Sequence, residues 1–134
     1  MSLILASSSP FRKAILEKLG VSFITVSPDI DETRKTVETP YDLVYRLAEE
    51  KAQKVAKTHS GLIIASDQVA TLDSGNEEGD EILNKPLTHQ NAFAQLQKSS
   101  GRTVTFLTSI ALLNTETGIL QNHVEFFRVF FKSL

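Results

Sequence analysis

Apolar and polar positions along this 134-residue chain fall into short blocks, some with the spacing of strands and some with that of helices. Leu3 to Ala6 form a brief apolar run that predicts a buried strand. Ser7, Ser8 and Ser9 follow, then a helical pattern through Leu19. Ser9 as N-cap, Pro10 at the first helical position and Gly20 past the end are consistent boundary signals for that helix. Val21 to Val26 read as a second strand, and Ser27 to Glu38 as a polar, acidic loop. Thr39-Pro40 opens a longer helix whose stripe is Leu43, Val44, Leu47, Ala48, Ala52, Val55 and Ala56. Leu62 to Leu72 read as a third strand, interrupted by Ser66-Asp67-Gln68. Asp73 to Glu81 form a glycine-rich acidic loop, and Thr88 caps a third predicted helix ending near Ser99. Val104 to Leu113 and Ile119 to Phe131 then read as long strands joined by the turn Asn114-Thr115-Glu116-Thr117-Gly118.

Strands that alternate with helices and finish in a hairpin predict an α/β fold: a mixed, mainly parallel sheet flanked by helices. The length suits a single domain over residues 1–134. Phe126, Phe127, Phe130 and Phe131 crowd the last strand, and an apolar strand of this kind needs cover. A second copy of the chain, in a homodimer, is one source of that cover; further chain beyond residue 134 is the other.

Composition narrows the classes. A hydrophobic content of 41% and a charged content of 22% are those of a globular protein rather than a disordered one. The net charge of -2, with its cations spread along the chain, argues against a nucleic-acid partner. Cysteine is absent, which excludes disulfides and thiolate chemistry and fits a reducing compartment. No apolar run has the length of a membrane span, and the start lacks the basic region of a secretory signal. The expectation is a cytoplasmic protein with no membrane partner.

Four groups of residues could carry chemistry. Ser7-Ser8-Ser9-Pro10-Phe11-Arg12-Lys13 stands between strand and helix, where free N–H groups and hydroxyls suit a phosphate. Arg12 and Lys13 in the first helical turn oppose the helix dipole, a conflict that a bound polyanion relieves. A serine cap followed by a solvated basic turn is the plainer alternative. Asp67 interrupts an apolar strand, where an unpaired carboxylate is costly and a cation, a metal or a strand end is required. Asp29, Asp31 and Glu32 offer hard oxygen ligands of the kind Mg²⁺ takes, or a solvated loop. Lys51 lies on the apolar stripe of its helix, so its stem either snorkels or points into a cleft at the sheet end. Together these suggest phosphate-ester or phosphoanhydride chemistry. Neither a P-loop nor a dinucleotide-binding glycine fingerprint occurs.

At these residues the chain resembles the Maf-like nucleotide pyrophosphatases. Leu3-Ile4-Leu5-Ala6-Ser7-Ser8-Ser9-Pro10-Phe11-Arg12 is similar to that family's opening signature. Asp31-Glu32-Thr33, Glu50-Lys51-Ala52, Ser66-Asp67-Gln68-Val69 and Lys85-Pro86 are similar to its later motifs, and Ser99-Ser100-Gly101 to the end of its third helix. Asn84 departs from the usual glycine. The resemblance implies a fold like that of the Maf and inosine-triphosphatase enzymes. It implies hydrolysis of a nucleoside triphosphate to the monophosphate and pyrophosphate with a divalent metal, Mg²⁺ or Mn²⁺. Asp67 would be the catalytic base; Ser7, Ser9, Arg12, Glu32, Lys51 and Lys85 would bind substrate, and Glu32 and Asp67 the metal. Phe11 and Gln68 fall on base-selecting positions, and an aromatic residue with glutamine resembles the subfamily that hydrolyses 7-methyl-GTP. A methylated guanine is cationic, which an aromatic face favours. Members usually continue well beyond this length, so the resemblance also implies that the C-terminal part of the fold is missing.

Two other readings compete. One is a nucleotide-binding remnant without turnover. The other takes Asp29-Ile30-Asp31-Glu32-Thr33 as the DxDxT of a haloacid-dehalogenase-like phosphatase, whose first Asp is a nucleophile at a strand end. Within the Maf-like reading, a dTTP or UTP pyrophosphatase is the alternative to 7-methyl-GTP.

Overall fold

The structure, a computed structural model, describes residues 2–33, 35, 38–72, 81–83 and 103–130, with 81–83 described by their backbone. In order, its elements are β1 (Leu3–Leu5), α1 (Pro10–Lys18), β2 (Ile24–Thr25), α2 (Pro40–Ala56), β3 (Leu62–Leu72), β4 (Glu81–Leu83), β5 (Thr103–Asn114) and β6 (Ile119–Phe130). The strands form one mixed sheet ordered β2-β1-β3-β5-β6, with β4 also paired to β3. The third helix expected from Thr88 lies outside the described residues.

Parallel pairing is confined to β2-β1-β3, where Ile4 faces Ile24 and Ile63, and Leu5 faces Ile64. The rest runs antiparallel for local reasons. A four-residue turn joins β5 to β6, its Gly118 at φ 72 and its N–H donating to the Asn114 carbonyl at 2.8 Å, and so short a link permits no crossover. Along β3 and β5 the contacts climb on one strand as they fall on the other: Gly61 with Thr115, Asp67 with Ser109. The α/β class of the sequence analysis therefore holds, with more antiparallel character than the helix–strand alternation suggested.

Both helices start as their sequences dictate. Ser9 Oγ accepts the Arg12 N–H at 3.3 Å and Thr39 Oγ1 the Asp42 N–H at 3.1 Å, each followed by proline at the first helical position. Beyond α1, Gly20 turns the chain at φ 73. Helix α2 buries Leu43, Val44, Leu47, Ala48, Lys51, Ala52 and Val55; this is the predicted stripe with a lysine in it, except that Ala56 at its end is only half-buried. Helix α1 buries none of its residues. The predicted second strand is reduced to two exposed residues.

The residues group into two compact units: Met1–Asp67 with Ser109–Val124, and Gln68–Thr108 with Glu125–Leu134. In the first, Ala48, Ala52 and Val55 of α2 pack on Ile4, Ala6, Ile63, Ala65, Ala111 and Leu113 of the sheet. Small side chains on both sides let helix and sheet approach closely. In the second, β4 pairs antiparallel to β3, with Thr71 facing Ile82, and Val69, Leu72, Val104 and Leu107 are buried. Among the described residues no helix is long and apolar enough to cross a membrane.

Candidate active site

The first unit gathers three charged side chains at one point. Lys51 comes from α2, Asp67 from β3, and Glu32 from the loop between β2 and α2. The Lys51 ammonium lies 3.0 Å from Asp67 Oδ1 and 3.0 Å from Glu32 Oε1, and donates to the Ser66 carbonyl at 3.3 Å. It donates to Asp67 and to the Ser66 carbonyl and its charge is paired with Glu32 as well, which is why it tolerates burial at 6% exposure. The stem does not snorkel; the charge is turned inward.

Asp67 does not break β3. The strand runs unbroken from Leu62 to Leu72, because the carboxylate finds its cation on the helix above and its backbone N–H donates to Ser109 Oγ at 3.1 Å. Ser109 is fully buried and also donates to the Val44 carbonyl of α2 at 2.7 Å. One hydroxyl therefore ties strand, strand and helix together behind Asp67. Only Oδ1 of Asp67 is engaged by hydrogen bonds among the described residues, leaving Oδ2 open to a water or a ligand.

At the carboxyl end of β1, the chain turns out of the sheet, the Ser7 N–H donating to the Leu5 carbonyl at 3.0 Å. Because Leu5 faces Ile64, Ser7 and Asp67 both lie just beyond the carboxyl end of the β1–β3 pairing, where α/β sheets place their ligands. Ser7 is buried and its Oγ accepts the Ser9 N–H at 3.0 Å. The hydroxyls of Ser7 and Ser9 thus accept backbone N–H groups in this structure, and each keeps its O–H to donate. Among the described residues none pairs with the Arg12 guanidinium. Phe11 stands beside it on α1, 74% exposed. Gln68, in the second unit, is exposed and its Nε2 donates to Thr108 Oγ1 at 2.9 Å. Lys85, Asn84 and the Ser99-Ser100-Gly101 segment lie outside the described residues.

The loop carrying Glu32 is held by its own turn and by α2. Its start is bent by Asp29 at φ 40. Asp31 Oδ1 then accepts both the N–H and the hydroxyl of Thr33, and these bonds hold the Asp31 carboxyl below its usual range. Farther on, Arg46 of α2 bonds the Glu38 carboxylate at 2.6 and 2.9 Å, the Glu50 carboxylate at 3.1 Å, and the Thr33 carbonyl at 3.0 Å. Hydrogen bonds from Arg46 lower the Glu38 carboxyl to about 2 despite its burial, and the same bonds raise Arg46. Sequence reading did not single out Arg46, Glu38 or Ser109. The spacing of Arg46 and Glu50 by four residues was the one local hint.

A divalent cation fits this donor set in its chemistry. Glu32 and Asp67 supply two carboxylates to one ammonium, which leaves the trio with an excess negative charge. Hard oxygen ligands of this number suit Mg²⁺ or Mn²⁺, which complete their shells with water and phosphate oxygens. Among the described residues no group of three or more His, Cys, Asp or Glu side chains is placed to hold a metal by itself. Asp29, the nucleophile of the haloacid-dehalogenase-like reading, sits in the loop four residues past the end of β2 rather than at a strand end.

Comparison with known proteins agrees with the geometry. The sequence matches the Maf-like protein family over residues 2–134. The fold is similar to that of a nucleoside-triphosphatase, a dITP/XTP pyrophosphatase, from Mycobacterium abscessus. That pair shares 21% identity and a TM-score of 0.52 over 96% of this chain and 72% of the other. A HAM1 protein from Coxiella burnetii is 19% identical, with a TM-score of 0.56 over 94% of this chain and 71% of its own. The Staphylococcus aureus Ham1 protein is 16% identical, with a TM-score of 0.58 over 96% and 70%. At such identities the likeness is one of fold. The match across residues 2–134 shows that the chain belongs to the Maf-like protein family.

Proposed function

We propose that this chain is a nucleotide pyrophosphatase that cleaves a nucleoside triphosphate into the monophosphate and pyrophosphate. The observation that carries the reading is the Lys51 ammonium held 3.0 Å from both Asp67 and Glu32 at the carboxyl end of the β1–β3 pairing. Family membership and folds shared with named pyrophosphatases support it.

In this reading Asp67 Oδ2 takes a proton from a water that attacks the α-phosphorus. The new P–O bond forms as the α–β phosphoanhydride bond breaks, and the electron pair leaves with pyrophosphate. Lys51 and Arg12 face phosphoryl oxygens and stabilise the charge that builds there. Ser7 and Ser9 donate hydrogen bonds to the same oxygens, and the family resemblance assigns Lys85 as a further cation. Glu32 and Asp67 would hold a divalent ion, which would supply charge to offset that on the phosphoryl groups. Lys51, with its stem fixed in the α2 core, keeps the two carboxylates converged before substrate arrives.

For the base we propose 7-methyl-guanine. The exposed ring of Phe11 offers a face to a cationic purine, and the resemblance of the sequence to the 7-methyl-GTP subfamily at Phe11 and Gln68 supports this base. The test is pyrophosphate release by the 134-residue chain with Mg²⁺ or Mn²⁺, using 7-methyl-GTP, GTP, dTTP, UTP and CTP. Selective release from 7-methyl-GTP is expected. Release from dTTP and UTP instead would keep the chemistry and overturn the base. Nucleotide binding with no release from any of them would overturn the enzymatic reading in favour of a binding protein.

A further inference from the structure

Arg46 uses its whole guanidinium on groups outside the reacting trio. Its Nε and Nη2 clasp the Glu38 carboxylate, its Nη1 meets both oxygens of Glu50, and its Nη2 also donates to the Thr33 carbonyl. Thr33 follows Glu32 directly in the chain. Glu38 in turn accepts the Lys35 N–H at 3.1 Å, so the loop is held to α2 on the C-terminal side of Glu32, at Thr33 and Glu38. Lys51, on the same helix, then receives Glu32 Oε1 at 3.0 Å. The Glu32 side chain is 54% exposed, and an exposed carboxylate on a loop has little packing of its own to fix it. Only an anchored backbone holds it against a cation with such short geometry.

We propose that Arg46 is the positioning residue of the candidate site: its fork fastens the Glu32 loop to α2, setting Glu32 opposite Asp67 across Lys51 for a divalent cation. This rests on the reading of Glu32 as a metal ligand. A planar guanidinium does this and an ammonium does not, because two carboxylates and a carbonyl are met at once by five hydrogen bonds from donors spread over one rigid plane.

The test uses the variants R46K, E32Q and the pair together, with two readouts. Amide hydrogen exchange is followed in the peptide from Asp29 to Thr33 and in α2 from Ala48 to Val55. Binding of Mn²⁺ alone is followed by electron paramagnetic resonance. R46K is expected to speed exchange in the loop peptide while α2 keeps its protection, and to weaken Mn²⁺ binding about tenfold or more, as loss of groups that orient ligands does. In the E32Q background R46K is expected to weaken Mn²⁺ no further, because two residues acting through one contact do not add. Loop exchange unchanged by R46K would overturn the proposal, as would an equal further loss of Mn²⁺ in the E32Q background. Opening of α2 together with the loop would overturn it too, since Arg46 would then be holding the helix. If no form binds Mn²⁺ yet loop exchange responds as expected, the metal in the proposed function falls and the positioning role stands.

Discussion

The side chains of Lys51 and Asp67 are 8% and 12% exposed while that of Glu32 is 54% exposed, and this difference sets the cost of breaking each pair. Removing Lys51 strands a buried carboxylate. Lys51→Met is expected to destabilise the protein by about 3–5 kcal/mol, read by denaturant unfolding. Glu32→Gln breaks a pair that solvent already screens, and should cost less than about 1 kcal/mol. Equal losses for the two would contradict this account of burial. Glu38 adds a pH dependence whose sign follows from its neighbours. Its carboxyl is lowered from 4.5 to about 2 by Arg46, so its contribution to stability is present above the unfolded value and is lost as pH falls between about 4.5 and 2. Asp31 shifts in the same direction. Glu38→Gln should flatten the acid side of the stability profile, and an unchanged acid slope would rule this pairing out as its source.

Elements with a local signal were legible in the sequence. The stripe of α2, the caps Ser9 and Thr39, and the β5–β6 turn all stand where local spacing put them. β3 was legible as a strand, but its Ser66-Asp67-Gln68 segment read as a break. Nothing near Asp67 in the sequence shows that a helix sixteen residues earlier supplies its ammonium. The anchors of Arg46 were hidden for the same reason, its partners lying in a loop eight and thirteen residues back. Resemblance to a family brought Glu32, Lys51 and Asp67 together before geometry did; charge spacing alone left Lys51 a plausible surface residue. A tighter constraint sits at Gly61, which enters β3 at φ 143 where an added Cβ would run into the Ser2 carbonyl oxygen. Its N–H also meets Thr115 Oγ1 at 2.8 Å. Gly61→Ala is expected to destabilise by at least about 1–3 kcal/mol from backbone strain alone. A neutral thermal shift would mean that β1 can move aside freely.

On the scale of the molecule, the residues assigned to phosphate and metal that the structure describes all belong to the first unit: Ser7, Ser9, Arg12, Glu32, Lys51 and Asp67. The Maf-like match extends over residues 2–134, and the fold it shares with pyrophosphatases of low identity supplies the sheet end beyond which Ser7 and Asp67 lie. In the proposed mechanism hydrolysis depends on one carboxylate, that of Asp67, whose removal leaves binding in place. Asp67→Asn keeps the size of the side chain and can still accept from Lys51 while losing its capacity as a base. The most direct measurement is the rate of pyrophosphate release by wild type and Asp67→Asn at saturating nucleotide and Mg²⁺, with nucleotide affinity measured on both. The expected result is a fall of roughly 10²–10⁴-fold in turnover with affinity largely retained. Equal turnover by the two proteins would contradict the assignment of Asp67 and, with it, the mechanism built around Lys51.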